Sequence, residues 1–216
     1  MLLKELRVEF RNKQTVNSFI ILSVLIMAAF RFAFSVTEPP VGDVAAPILW
    51  VSIFFAGMLA LSPTWKREVE QGTRDGLRVA PIAPSDVYLG KLLANLVVVF
   101  ALEAVVVVVF LAFFPGTSPD WPALVAVLVL GTVGFVALGN LISAISSNLA
   151  QSEVMLPVLL VPLLLFTVVI SCVGATARVF SGATVLEVGD ELRFLAAFAL
   201  VYIATGYLSI EYVLEG

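Results

Sequence analysis

Three polar side chains interrupt long apolar stretches of the sequence, where ordinary hydrophobic packing needs none. Arg31 stands in the first stretch, Glu103 in the third, and Asn140 follows a glycine in the fourth. A charged group inside a membrane is costly, so it is normally paired, protonated, or turned towards a cavity or partner. We expect Arg31 to extend to the membrane surface or to reach Glu103, and Asn140 to form hydrogen bonds across helices. For all three residues, structural and functional roles remain alternatives.

The residue inventory excludes several kinds of active site. The sequence contains no histidine and one cysteine, Cys172. A Ser-His-Asp triad, a histidine-bearing zinc site and bis-histidine haem ligation are therefore excluded. A single cysteine also forms neither an internal disulfide nor a CxxC pair. We predict no catalytic residues and no metal ligands, and the net charge of −4 gives no indication of a nucleic-acid partner.

The composition predicts a membrane protein. Of the 216 residues, 61% are hydrophobic and 13% are charged, whereas soluble domains have ~45–50% and ~25%. Six spans of about 20 residues would leave too little chain for a separate soluble core. We therefore predict an all-α, polytopic fold with a single transmembrane domain over residues 1–216. The six transmembrane helices are expected at 14–30 (continuing to 37), 44–65, 92–114, 123–145, 154–173 and 194–210.

The distribution of lysine and arginine predicts the orientation. Nine of the twelve lie before the first span or between the second and third, and three lie elsewhere. Because these residues concentrate in cytoplasmic loops, both termini are predicted to be cytoplasmic. Residues 1–13 are predicted to form an amphipathic helix in the cytoplasmic interface. It would serve either as an anchor or as a connecting helix that holds a partner's cytoplasmic domain.

The loop at residues 66–90 contains most of the clustered charge, with both signs interleaved. Glu70 and Arg74 have the spacing of a helical ion pair, while Gly72 and Gly76 permit tight turns and close backbone approach. Such a segment suits docking onto a soluble partner, because mixed charges set specificity and register. An inert connector is the alternative.

Two pairs of prolines are expected to interrupt helices. Pro81 and Pro84 are expected to end any helix within the loop. Pro157 and Pro162 are expected to kink the fifth span and to free backbone carbonyl groups. Kinked spans occur both as moving parts of transporters and in static bundles.

The run Arg-Glu-x-Glu-x-Gly-Thr-x-Asp-Gly-Leu-x-x-Ala-Pro at 67–81 resembles the loop of the CcmB family, the permeases of cytochrome c biogenesis. The Tyr-Leu-Gly-Lys run at 88–91, Asn95, and the paired prolines of the fifth span also resemble this family. The similarity extends over essentially the whole chain. It implies an ATPase-coupling loop whose candidate residues are Arg67, Glu68, Glu70, Gly72, Thr73, Asp75, Gly76, Leu77 and Pro81.

The resemblance also implies a fold, a function and partners. The fold would be that of an ABC-2-like exporter permease in a prokaryotic inner membrane. The function would be haem export or handling in cytochrome c maturation, with release of a haem-loaded chaperone. The implied partners are a CcmA-like ATPase, CcmC-like and CcmD-like haem-handling membrane proteins, and a CcmE-like chaperone. Separately, the half-size of the permease suggests that a second copy of the chain, or another membrane subunit, completes the pathway.

Nucleotide chemistry is expected in a partner rather than in this chain. The sequence has no G-x-x-x-x-G-K-[ST] motif, so ATP would act only through the separate ATPase. The chain is expected to be non-catalytic and to bind no cofactor of its own. Haem would be a substrate whose iron is liganded by partners. A generic ABC-2-type exporter of a lipid, drug or glycan has the same topology and remains the alternative.

Overall fold

The structure, a computed structural model, describes residues 13–34, 41–61, 65, 83–115, 119–146, 158–160 and 168–215. These residues are mainly helical and contain no strand, which confirms the predicted all-α class. The helices are α1 (Lys13–Phe34), α2 (Val41–Leu61), α3 (Pro84–Phe113), α4 (Trp121–Ser146), α5 (Ile170–Phe180) and α6 (Gly189–Glu215).

Five of the described helices are long and apolar enough to cross a membrane, and α5 is shorter. The chain is therefore a multi-pass membrane protein, as predicted. The expected fifth span at 154–173 is described only at 158–160 and from 168 onward. Helix α5 continues to Phe180, beyond the predicted end of that span. The described residues thus support five spans rather than the full predicted six.

Helix α3 begins earlier than its hydrophobicity indicates. Ala83 is its N-cap, Pro84 is in the first turn, and Asp86 follows. Proline at the start of a helix loses no hydrogen bond, and an acidic residue there faces the positive end of the helix dipole. Pro84 therefore lies in the first turn of α3. As a result, residues that the sequence placed in the loop belong to the first turns of α3.

Small residues on α4 let the other helices approach it closely. A Cβ atom on Gly131 would overlap the Trp50 ring of α2, and a Cβ atom on Gly139 would overlap Leu61. Gly134 lies against a phenylalanine of α6. Helices without a hydrophobic driving force between them associate through such close contacts. The structure gives each of these glycines a packing contact within the bundle.

Helix α2 is joined to α5 by a buried hydrogen bond. The indole N–H of Trp50 donates to the hydroxyl of Thr176 at 2.8 Å. The Trp50 ring also lies 5.2 Å from that of Phe54, which in turn lies 5.1 Å from Phe135 on α4. Aromatic rings at these separations attract each other in addition to burying area. The contacts hold α2, α4 and α5 together in the core.

Polar contacts fasten the turn between α5 and α6. Arg178 donates to Glu191 at 2.5 Å and to the backbone carbonyl of Glu187 at 2.6 Å. Glu187 accepts hydrogen bonds from both the backbone N–H and the hydroxyl of Thr184. These two donors, the backbone one first, lower the pKa of Glu187. The exposed polar groups of this turn thus hold α5 and α6 at a fixed angle.

Candidate functional site

Residues 66–82, the core of the predicted coupling loop, lie outside the described residues. So do its candidate residues Arg67, Glu68, Glu70, Gly72, Thr73, Asp75, Gly76, Leu77 and Pro81. Their assignment therefore stays a prediction. Both ends of the segment are described, since Trp65 precedes it and Ala83 follows it. We call the region where these two residues lie the loop end of the helices.

A buried polar contact fixes the residue that precedes the segment. The indole N–H of Trp65 donates to the Oδ1 atom of Asn140 at 2.9 Å. The Nδ2 group of Asn95 donates to the same oxygen at 3.3 Å. Trp65 is 2% exposed and Asn140 is fully buried. Because Asn95 belongs to α3 and Asn140 to α4, one amide oxygen ties the start of the loop to both helices.

The residues that follow the segment pack into the same place. Lys91 is 1% exposed, and its ammonium nitrogen lies 5.1 Å from the centre of the Trp65 ring. A cation at this distance from an indole face is attracted by the ring quadrupole. Tyr88 donates from its hydroxyl to the backbone carbonyl of Ala137 on α4 at 3.3 Å. The residue before the loop therefore meets the first turns of α3, and both contact α4.

We call Trp65, Tyr88, Lys91, Asn95 and Asn140 the loop anchor cluster. The Nδ2 group of Asn140 has no hydrogen-bond partner within the described part of the chain. A buried donor left in this way costs about 1–3 kcal/mol. The cluster is thus a polar contact point, with one donor unused, inside an otherwise apolar bundle.

The loop anchor cluster also depends on a close approach by α6. Gly206 lies directly against the Tyr88 side chain, and a Cβ atom there would overlap the phenol ring and its hydroxyl. Gly206 itself is buried. Tyr88 can therefore reach α4 only because α6 presents a glycine at this point. Four helices or helix ends meet around the place where the loop leaves the bundle.

The predicted Glu103–Arg31 pair is absent from the described residues. Glu103 is 4% exposed, and the hydroxyl of Thr132 on α4 lies 2.9 and 3.0 Å from its two carboxyl oxygens. Arg31 is exposed on α1. The alternative in which Arg31 reaches Glu103 is therefore not supported, and the alternative in which it extends to the membrane surface stays a prediction. Asn140 does bond across helices, so that prediction is confirmed.

Sequence reasoning identified part of the loop anchor cluster and missed the rest. The sequence predicts that Asn140 bonds between helices and that Tyr88, Lys91 and Asn95 belong to a run resembling the CcmB family, but it places Trp65 only at the end of a span and brings none of these residues together. The missed signal is positional: a tryptophan and a lysine flank the charged loop on its two sides. The predicted kinks at Pro157 and Pro162 lie outside the described residues.

The loop anchor cluster brings hydrogen-bonding and aromatic groups together at one place. Within the described residues, no three cysteine, aspartate or glutamate side chains lie together in a set that would hold a metal ion. The loop anchor cluster contains an indole, a phenol, an ammonium group and two amides. Such groups can hold two chain segments in a fixed relation within an apolar surrounding. The cluster therefore holds Trp65 in a fixed position relative to α3 and α4.

Comparison with known proteins adds a family to this geometry. The family described as CcmB protein matches residues 1–215. Heme exporter protein B of Paracoccus denitrificans is 33% identical over 163 residues, covering 74% of this chain and 72% of the relative. Heme exporter protein B of Rhodobacter capsulatus is 28% identical over 161 residues, with the same coverage of both chains.

Proposed function

The chain belongs to the CcmB family, and we propose that it is the membrane permease subunit of an ABC-type complex in cytochrome c maturation. In this role it takes part in the export or handling of haem and in the release of a haem-loaded chaperone. The relatives named heme exporter protein B support haem as the substrate. The five long apolar helices support an integral membrane subunit.

The observation that carries the mechanism is the loop anchor cluster. An ATPase that binds residues 66–82 would push or pull on a segment that follows Trp65 and leads into the first turns of α3, where Lys91 lies. These residues contact each other, and Trp65 is hydrogen-bonded to Asn140 of α4. Closure of the ATPase would thus move α3 and α4 together, instead of only bending a flexible loop between them and α2. The loop is the coupling element in this proposal.

ATP hydrolysis belongs to a separate, CcmA-like subunit in this proposal. The sequence contains no phosphate-binding G-x-x-x-x-G-K-[ST] loop, which is the element that cradles nucleotide phosphates in such ATPases. The chain is then a non-catalytic subunit. Its contribution is the transmission of movement from the ATPase into the membrane.

Haem iron is liganded by other subunits in this proposal. The sequence contains no histidine, and histidine is the usual protein ligand of haem iron along with methionine, cysteine and tyrosine. Met27 and Cys172 are fully buried in the core, and Met58 is 7% exposed. CcmC-like and CcmD-like membrane proteins and a CcmE-like chaperone are the proposed haem-handling partners.

The proposed setting is a prokaryotic inner membrane, with both termini and residues 66–82 on the cytoplasmic side. The excess of lysine and arginine in these regions supports this orientation. Residues 1–13 would lie along the cytoplasmic interface as an amphipathic helix. A second copy of the chain would complete the half-size permease.

Purification from native membranes in mild detergent tests the proposal, with the co-purifying subunits identified by mass spectrometry. We expect a CcmA-like ATPase together with CcmC-like and CcmD-like membrane proteins. Recovery of an ATPase without haem-handling proteins would instead favour a generic exporter. Recovery of the intact chain with no ATPase would contradict both functions.

Charge reversal in the loop tests the coupling itself. Glu70→Lys is expected to leave membrane insertion intact but to lower the yield of mature cytochrome c per ATP hydrolysed. The double variant Glu70→Lys/Arg74→Glu restores the predicted ion pair and should recover part of the yield. Gly72→Pro, which stiffens the backbone, should uncouple without rescue. Normal cytochrome c yield in the two single variants would refute the assignment of the loop.

A further inference from the structure

A lateral groove of about 280 Å³ lies between α3 and α4 on the apolar surface. It is on the half of these helices that is distant from the loop end. Its walls include Phe100, Ala104 and Val107 of α3 and Trp121, Val125 and Leu128 of α4. The exposed fractions of Trp121 and Val125 are 53% and 52%, so the groove opens sideways.

The groove contains one acidic residue, Glu103. On α3, residues 100, 103, 104 and 107 have the spacing of a single helical face. Glu103 is ten residues from the end of α3 at Phe113, and Thr132 is eleven residues from the start of α4 at Trp121. At 1.5 Å per residue, both lie about 15 Å along their helices from those ends. Their hydrogen bond therefore joins the two helices at about the middle of a membrane span.

The carboxyl group of Glu103 retains capacity for hydrogen bonds. Its two oxygens share a single hydroxyl, that of Thr132, whereas a carboxyl group, even when protonated, has further acceptor positions besides its own O–H. No basic side chain of the described residues forms an ion pair with it. Lipid acyl chains contain no hydrogen-bond donor. An apolar groove beside such an acceptor is thus chemically complementary to a helix that brings a donor.

We propose that this groove is the docking site for a membrane-spanning helix of another subunit. That helix places a hydrogen-bond-donating side chain beside Glu103, while its apolar side chains pack on Ala104 and Val125. A two-fold contact with a second copy is less suitable, because it would set this acceptor-bearing groove against the same groove. The inference rests on the proposed function in one respect: the occupant is taken to be a membrane subunit of the same complex.

Photo-crosslinking in the intact complex tests the proposal. The photoreactive residue p-benzoylphenylalanine is placed at Val125 in the groove, and at Val201 on α6 as a matched control that is 58% exposed. After irradiation of native membranes, the adducts are identified by mass spectrometry. We expect Val125 to react with one transmembrane segment of another subunit that carries a donor within a turn of the crosslink. The control is expected not to react with that segment.

Substitutions of Glu103 test whether its carboxyl group recognises the partner helix or whether that helix merely lies close to Val125. Glu103→Leu removes both acceptors and should lower the yield of the Val125 adduct about three- to tenfold, as expected for one interhelical hydrogen bond in a membrane. Glu103→Gln keeps one acceptor and should change the yield by less than about twofold. A yield that is unaffected by Glu103→Leu would overturn the proposed recognition.

The remaining outcomes distinguish this inference from the proposed function. Adducts at Val125 with lipid alone, or with a second copy of the chain, would overturn the docking inference even if the ATPase co-purifies. An adduct with a donor-bearing helix of another subunit supports docking, and the absence of an ATPase in that sample would contradict only the proposed function.

Discussion

Replacement of Trp65 by phenylalanine is the most direct test of the loop anchor cluster. Phenylalanine lacks the indole N–H that donates to Asn140 at 2.9 Å. It retains an aromatic face beside Lys91, which now lies 5.1 Å from the ring centre. The variant therefore removes one hydrogen bond while leaving the stacking partner in place. We expect the loop to be less firmly fixed to α4.

The size of the effect of Trp65→Phe follows from the hydrogen bond that Asn140 keeps in the variant. Its oxygen retains the longer bond from Asn95 at 3.3 Å, so the loss is one net hydrogen bond, about 1 kcal/mol. That amount changes the ratio of anchored to released loop about fivefold. If coupling requires the anchored loop, ATP consumed per cytochrome c matured should rise by up to about fivefold. The smaller ring adds a packing cost to global stability.

Trp50→Phe provides the matched control. Trp50 is also a fully buried tryptophan whose indole makes one buried hydrogen bond, here to Thr176 at 2.8 Å. It contacts α4 and α5 and is not part of the loop anchor cluster. The two variants should be destabilised by comparable amounts, but only the change at Trp65 should raise the consumption of ATP per cytochrome matured.

The assay combines ATP turnover of the purified complex with haem staining of c-type cytochromes in the same cells. Thermal unfolding of each variant in detergent reports its stability. If Trp65→Phe and Trp50→Phe reduce maturation equally for an equal loss of stability, the loop anchor cluster is structural only. If Trp65→Phe destabilises the protein but leaves the ATP cost of maturation unchanged, the coupling argument is also refuted.

Three further outcomes are expected from the described contacts. Gly206→Ala should destabilise the protein by about 1–3 kcal/mol in thermal unfolding, because the new Cβ overlaps Tyr88. The matched change Gly174→Ala should be neutral or slightly stabilising, because a Cβ there meets nothing within 4 Å. Cys172 is fully buried, so a membrane-permeant maleimide should label it only upon unfolding; rapid labelling of the native protein would contradict its placement. The pKa of Glu187 is lowered, so its ionised carboxylate stabilises the fold above the ordinary glutamate pKa, and this stabilisation is lost as the pH falls through the lowered value. Glu187→Gln should therefore flatten the pH dependence of the melting temperature below pH ~4.3. An unchanged profile would refute this.

Hydrophobicity alone was sufficient for the class and the approximate position of most helices. Apolar length is a strong signal because backbone groups in lipid must be satisfied within a helix. It locates helix ends poorly, as α3 shows: its first turns carry Asp86 and Lys91 and look like loop in composition. Lys91 is nevertheless 1% exposed, since the Trp65 ring covers it. That burial depends on a partner 26 positions earlier in the chain.

The sequence was also a partial guide to the polar contacts. Asn140 was predicted to bond across helices because an amide in an apolar span has few other partners. Its actual partners, Trp65 and Asn95, depend on the rotation of three helices about their axes. The same limitation explains Glu103: the sequence offered Arg31 as a partner of opposite charge, while the structure supplies the hydroxyl of Thr132.

The two buried polar sites differ in a way that assigns them different tasks. In the loop anchor cluster, Asn140 is fully buried and receives two donors from its own chain. Glu103 is nearly as buried but receives one hydroxyl, and it borders a groove that opens sideways. The Asn140 site, including its one unused donor, is buried by its own chain, so it can transmit movement without any partner in the membrane. A site with acceptors to spare beside an open groove gains stability when another helix fills it. We therefore expect Trp65→Phe to affect coupling while the subunits stay together, and Glu103→Leu to affect assembly first.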